Sequence, residues 1–149
     1  MGKMGRIEDE KKLLHSELSR DIIGCCFEVI KELGSGFLEN VYKNALFVCM
    51  KQKGLSVSTE QSFDVLFREH KIGKYIADLI VEKSIIVELK CCQVLLPEHQ
   101  AQLINYLKAS NTPIGLLVNF GNKRLEYKRL QHPDGFIAFE RLEEESVFF

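Results

Sequence analysis

Along the chain the spacing of apolar positions changes with each segment, and the changes mark the elements. From Ser16 to Leu33, Leu18, Ile22, Cys25, Val29 and Leu33 recur at three- and four-residue steps. That spacing predicts an amphipathic helix, stopped by Gly34-Ser35-Gly36. A second helix is expected over Leu38 to Lys53, with Val41, Ala45, Val48 and Cys49 inward and Gly54 at its cap. Beyond Gly54 the period becomes two. Phe63, Val65 and Phe67 alternate with polar neighbours as in a half-buried strand, and "EHKIGK" reads as a turn around Gly73. Tyr75–Val81 and Ile85–Cys91 are rich in β-branched residues and read as two more strands. Pro97 suits the first position of a helix reaching Ala109. The unbroken apolar run Ile114–Phe120 predicts a strand buried on both faces, and Leu125–Arg129 and Phe136–Leu142 are further strand candidates. Three strands, a helix and a returning strand imply an α/β fold: a mixed sheet with helices on its faces, in one domain over residues 1–149.

Three charged residues interrupt this pattern. In "IADLIVEKSIIVELKCC", Asp78, Glu88 and Lys90 sit inside segments that otherwise read as buried strand. Glu88 and Lys90 are two apart and share a face with Ile86, and Asp78 shares a face with Ile76 and Ile80. The three-residue connection Glu82–Ser84 pairs Val81 with Ile85, and therefore sets Asp78 opposite Glu88. A two-residue loop would throw Glu88 to the other face, so the inference rests on an odd loop length. Two opposed carboxylates repel. A hard divalent cation such as Mg²⁺ relieves the conflict, because it takes oxygen ligands from one or two carboxylates and leaves positions for water and phosphate. Lys90 beside them would favour a hydroxide nucleophile or steady a phosphate oxygen, a combination suited to phosphodiester hydrolysis. The alternative is an ordinary ion pair of Lys90 with Glu88 or Asp78.

Two other groupings bear on this site. Glu98, Gln102 and Tyr106 lie at i, i+4 and i+8 and form one polar stripe, opposite Leu103 and Leu107. Gln102 and Tyr106 could equally face solvent or bond to local backbone. Glu39 and Tyr42 lie three apart on one helical face; the competing reading of Glu39 is a surface pair with Lys43, worth about 0.3–0.5 kcal/mol.

Composition narrows the class without deciding it. The formal charge is −1, so no general attraction to nucleic acid is expected, although "NKRLEYKRL" supplies a local basic segment and "ERLEEESVFF" an acidic one. Five cysteines, Cys25, Cys26, Cys49, Cys91 and Cys92, show no C-x-x-C spacing. Odd in number, with two adjacent pairs, they argue against a disulfide framework, a zinc site or an iron–sulfur cluster, and read as small buried thiols. No apolar run reaches the roughly 18 residues of a membrane span. "MGKMGR" is neither a signal peptide nor a myristoylation signal, which makes the cytoplasm the expected location and a membrane an unexpected partner.

Taken together, Gly36-x-x-Glu39-x-x-Tyr42, "ADLIVEKSIIVELK", "AQLINYLKAS" and "GLLVNFG" resemble the GxxExxY family within the PD-(D/E)xK nuclease superfamily, in the right order from Ile22 to Arg129. Gln102-x-x-x-Tyr106 is similar to the Q-x-x-x-Y motif of RecB-type nucleases. The resemblance implies a restriction-endonuclease-like αβββαβ core with an extra N-terminal helix. It implies that Asp78, Glu88 and the backbone carbonyl of Leu89 bind Mg²⁺ or Mn²⁺, with Glu39 as a further carboxylate. Lys90 would position or activate water, and Gln102 and Tyr106 would orient the lysine or a phosphate. Two positions depart from the superfamily: Ala77 stands where a proline usually precedes the first acid, and Tyr75 where RecB-type members often have glycine.

The expectation is therefore a metal-dependent nuclease acting on DNA in preference to RNA. Many nucleases of this fold pair two sites for two strands, so a homodimer is compatible. A second expectation is a catalytically silent module of the same fold that binds nucleic acid or a protein, with the tail "ESVFF" as a docking segment or an edge strand.

Overall fold

The computed structural model describes residues 2–134. Helix α1 (Gly2–Leu33) and helix α2 (Glu39–Gln52) precede a hairpin of β1 (Val57–Phe67) and β2 (His70–Val81). β3 (Ile85–Lys90), α3 (Pro97–Ser110), β4 (Ile114–Asn119) and β5 (Glu126–Gln131) follow. The strands form one sheet in the order β1-β2-β3-β4-β5. β3 and β4 pair in parallel and all other neighbours antiparallel, so the mixed sheet and the crossover helix agree with expectation. The Phe136–Leu142 strand candidate and the "ESVFF" tail lie outside the described residues.

Two apolar layers hold the sheet. On one side Ile22, Cys25, Cys26 and Val29 of α1 and Tyr42, Leu46 and Met50 of α2 pack on Leu79, Val81, Val87, Leu89, Leu116 and Val118. On the other side Leu103 and Leu107 of α3 pack on Tyr75, Ala77, Ile80, Ile86 and Leu117. Each fully buried Leu or Ile contributes about 1.5–3 kcal/mol, so the layers rather than helix propensity stabilise these helices. α3 approaches β4 closely at Gly115, where a Cβ would stand 2.9 Å from Leu103 Cδ2.

α1 ends where expected, with Gly34 at φ 72° and its N–H on the Ile30 carbonyl at 2.8 Å. The inward face of α2 differs from expectation. Tyr42, Leu46 and Met50 are buried, whereas Val41 is 39% and Val48 53% exposed. The apolar face is rotated by about one residue because Tyr42, polar only at its tip, fills the core and stacks on Phe120 at 4.8 Å. The turn between the first two strands also lies elsewhere. It is formed by Arg68 and Glu69, both at positive φ (49° and 68°), as a two-residue hairpin turn requires. Gly73 instead sits inside β2 opposite Val65, next to an irregularity in register.

Strict alternation fails at Asp78. Tyr75 and Ala77 belong to the α3-side layer, but Leu79 and Val81, of the same parity, belong to the α1/α2-side layer. β1 does the same, with Val57 on one side and Phe63 and Val65 on the other. The register is unchanged across the break, from Thr59 opposite Leu79 to Gln61 opposite Ala77. At the crossing Glu60 takes φ 53°, so both strands turn over together with no residue inserted. Asp78 therefore does not share a face with both Ile76 and Ile80: Ile80 is buried under α3 while Ile76 is 55% exposed.

Candidate active site

The expected register of β2 and β3 is present. Val81 pairs with Ile85, Ile80 with Ile86 and Leu79 with Val87, which brings Asp78 and Glu88 together where the ladder ends. There the side chains take over from the backbone. The Leu89 N–H donates to Asp78 Oδ2 at 3.0 Å, and the Asp78 N–H approaches Glu88 Oε1 at 3.3 Å. The Lys90 carbonyl accepts from the Phe120 N–H on the β4 side. Peptide groups of successive strand residues face opposite edges, so those of Leu89 face β2 and the acids.

Glu88 is 9% exposed. Burial, followed by the Asp78 carboxylate, pushes its carboxyl up to about 7, and hydrogen bonds from Tyr75 and the Asp78 backbone with the more distant charge of Lys90 only partly offset this. The Tyr75 hydroxyl donates to Glu88 Oε1. Burial and the adjoining carboxylates raise the Tyr75 hydroxyl far above the ordinary phenol range, so it remains a donor. The Tyr75 ring stacks on Tyr106 of α3 with centroids 3.5 Å apart and on Phe63 at 6.1 Å.

Lys90 is half-buried at the end of β3. Among the described residues it forms no ion pair with Asp78 or Glu88, so its amine is not consumed by a structural bridge. Glu39, at the start of α2, accepts from the Cys91 N–H at 3.2 Å, one residue beyond Lys90. Its competing partner is engaged elsewhere, since Lys43 pairs with Glu60 at 2.8 Å. Among the described residues Glu39 does not join Asp78 and Glu88 in a group with all ligand atoms within 4.8 Å. Tyr106 reaches the site through Tyr75, and burial and then Glu88 raise its hydroxyl. Gln102 is exposed on α3.

Sequence reasoning gave no part to two groups. In the sequence Tyr75 stands as the start of a strand and as a departure from glycine, yet it bonds Glu88. The other is a buried polar corner after β4. Asn119 Oδ1 accepts from the Cys92 and Gly121 N–H groups at 3.0 and 2.9 Å, and its Nδ2 donates to the Cys92 carbonyl and Glu126 at 2.9 and 3.1 Å. Glu126 also accepts from the Leu95 N–H at 2.9 Å. This corner ties down the segment joining Lys90 to α3. Tyr42 has a similar part, donating to the Gly34 carbonyl at 2.6 Å and accepting from the Phe37 N–H at 3.2 Å just ahead of Glu39. "GLLVNFG" and Gly36-x-x-Glu39-x-x-Tyr42 contain these residues, but only coordinates give their partners.

A mixed sheet flanked by helices, with two acids and a lysine at the edge where antiparallel strands part, defines a nuclease-like α/β fold. The chain belongs to the PD-(D/E)XK nuclease superfamily, whose family model matches residues 16–130. Members of this superfamily generally use divalent metals. Among solved structures it is similar to the crystal structure of SSO0001 (24% identity, TM-score 0.52), covering 73% of this chain and 57% of that one. It is also similar to an alkaline exonuclease from Laribacter hongkongensis (14% identity, TM-score 0.49), covering 73% of this chain and 62% of that one. The chain thus spans about three fifths of the length of the structures it matches. No curated protein matches it significantly. Among the described residues, no helix is long and apolar enough to cross a membrane.

Proposed function

We propose that this protein is a divalent-metal-dependent nuclease that hydrolyses phosphodiester bonds, with DNA as the preferred substrate over RNA. The observation that carries the reading is the meeting of Asp78 and Glu88 beside Lys90, whose amine is free of an ion pair among the described residues. The donor set fits Mg²⁺ or Mn²⁺: it is all oxygen, and burial, followed by the neighbouring Asp78 carboxylate, raises the Glu88 carboxyl, a cost that a bound cation would offset. Asp78, Glu88 and the Leu89 carbonyl would hold the ion, which when bound supplies Lewis-acid activation of water and charge compensation for phosphate. Glu39 fixes the Cys91 peptide behind Lys90 and is the further carboxylate of the site. Lys90 holds or relays a proton of the attacking water, Tyr75 holds Glu88, and Tyr106 braces Tyr75. Gln102, on the open face of α3, meets the phosphate backbone.

A metal titration and cleavage assay on the wild type, Asp78→Ala and Lys90→Ala tests this. Cleavage of single-stranded, double-stranded or structured DNA should require Mg²⁺ or Mn²⁺ and vanish in both variants. Intact substrates with either metal would end the catalytic reading. Two observations favour a silent module: Tyr75 already engages Glu88, and a near-neutral chain needs another subunit or a local basic patch to hold a phosphate backbone. Nucleic-acid binding that persists in both variants, without cleavage by the wild type, would establish it.

A further inference from the structure

A second cluster of metal-ligating side chains lies between α1 and α2. Cys25 and Glu28 are three apart on α1, and Cys49 faces them from α2. One ligand atom from each, Sγ, carboxylate oxygen and Sγ, lies within 4.8 Å of the other two. Among the described residues no other group of three His, Cys, Asp or Glu side chains meets this condition. The Cys49 thiol donates to Glu28 Oε2 at 3.0 Å, and Lys53 pairs with the same oxygen at 3.1 Å. Cys25 is buried, Cys49 half-buried and Glu28 exposed, so the cluster has a closed sulfur end and an open oxygen end. A surface cavity of about 350 Å³, lined in part by Glu28 and Cys49, opens onto that side of the cluster.

We propose that Cys25, Cys49 and Glu28 form a binding site for a thiophilic divalent cation of the Zn²⁺ class, with water as the fourth ligand. Tetrahedral coordination at Zn–S of about 2.3 Å and Zn–O of about 2.1 Å sets sulfur–sulfur and sulfur–oxygen separations of about 3.8 and 3.6 Å. The cluster needs movements of only about an ångström to reach them, and two of its ligands sit on one helical turn. Burial, then the Glu28 carboxylate, hold the Cys49 thiol up to about 12, and burial also raises Cys25, so both sulfurs carry protons in the metal-free protein. Binding exchanges two S–H bonds for two metal–sulfur bonds, releases both protons to solvent and displaces the Lys53 ammonium from Glu28. Cysteine spacing could not reveal this site, because the two thiols come from different helices and the third ligand is a carboxylate. Thiolates select this ion class, whereas the all-oxygen set at Asp78 and Glu88 selects Mg²⁺ or Mn²⁺, so one chain holds two sites of different taste.

The test is titration of the reduced, metal-free full chain with Co²⁺ alone. One equivalent should produce a sulfur-to-cobalt charge-transfer band with tetrahedral d–d bands, and Zn²⁺ should bleach both. Asp78→Ala and the double variant Cys91→Ser/Cys92→Ser should keep the signal. Cys49→Ser should lose the two-thiolate spectrum, Glu28→Gln should weaken binding by about tenfold or more, and Lys53→Met should tighten it. No thiolate band in the reduced wild type, or a band unchanged in Cys49→Ser, overturns the site. Cys49 and Glu28 lie toward solvent, so these two variants decide the matter even if Cys25→Ser does not fold.

Discussion

Replacing Glu88 by Gln removes one buried charge while keeping the side chain's shape and an acceptor for Tyr75. Burial and Asp78 raise the Glu88 carboxyl from 4.5 to about 7, so the folded protein prefers it protonated. That preference stabilises the fold fully below the unfolded value and is lost as pH rises through about 7. Linkage over this interval gives a loss of about 2.5 kcal/mol between pH 5 and pH 8 in the metal-free wild type, from which the glutamine variant is exempt. Urea denaturation of both proteins in chelator at the two pH values measures the difference directly, because every other titrating group is common to both. The variant should be about 2.5 kcal/mol more stable at pH 8 relative to its standing at pH 5, or roughly 5–10 °C in Tm for a chain of this size. Mg²⁺ at pH 8 should then restore stability to the wild type but not to the variant. Parallel pH profiles would mean that Glu88 is neither buried as described nor held against the Asp78 carboxylate, and would remove the case for an ion between them.

Tyr75→Phe removes a hydrogen bond that lowers Glu88. The acid limb of metal-dependent cleavage should therefore move up by about one pH unit while the plateau rate changes less. Gly121→Ala would place a Cβ 2.3 Å from the Cys92 carbonyl oxygen and 2.5 Å from its nitrogen, both backbone atoms. It should cost about 1–3 kcal/mol in urea denaturation and lower cleavage by displacing the segment after Lys90. Tyr42→Phe keeps the ring on Phe120 but leaves the Gly34 carbonyl and Phe37 N–H without the hydroxyl, for a loss of about 1–3 kcal/mol by the same measurement.

The parts of this molecule legible in the sequence are those fixed by local periodicity. Helical spacing in α3 and over Ser16–Leu33 of α1, the continuous apolar run of β4 and the odd connection Glu82–Ser84 are each sufficient, and the last sets Asp78 against Glu88; α1 itself begins earlier, at Gly2, ahead of the periodic stretch. The misreading of the α2 face has a tertiary cause, in that a distant partner overrode a local pattern. The α2 face rotated because Tyr42 found Phe120 and the Gly34–Phe37 loop, and the first hairpin turned at Arg68–Glu69 rather than at the glycine. The reversal leaves no mark in the sequence of β2, where apolar residues keep every second position from Tyr75 to Val81 while changing face. Tyr75 and Asn119 became visible as site-shaping groups only when their partners, Glu88 and the Cys92 peptide, were located in space.

The paired reversal at Glu60 and Asp78 makes the first hairpin modular. Three rungs, Val57 with Val81, Ser58 with Ile80 and Thr59 with Leu79, anchor the acid from the sheet side of the twist, and the arm beyond it carries its own turn and its own packing against α3. Shortening or lengthening that arm by matched pairs of residues leaves the anchoring rungs, and with them the carboxylate, where they are. Reach and surface at the tip can therefore change without moving Asp78, provided the Tyr75–Phe63 rung is kept.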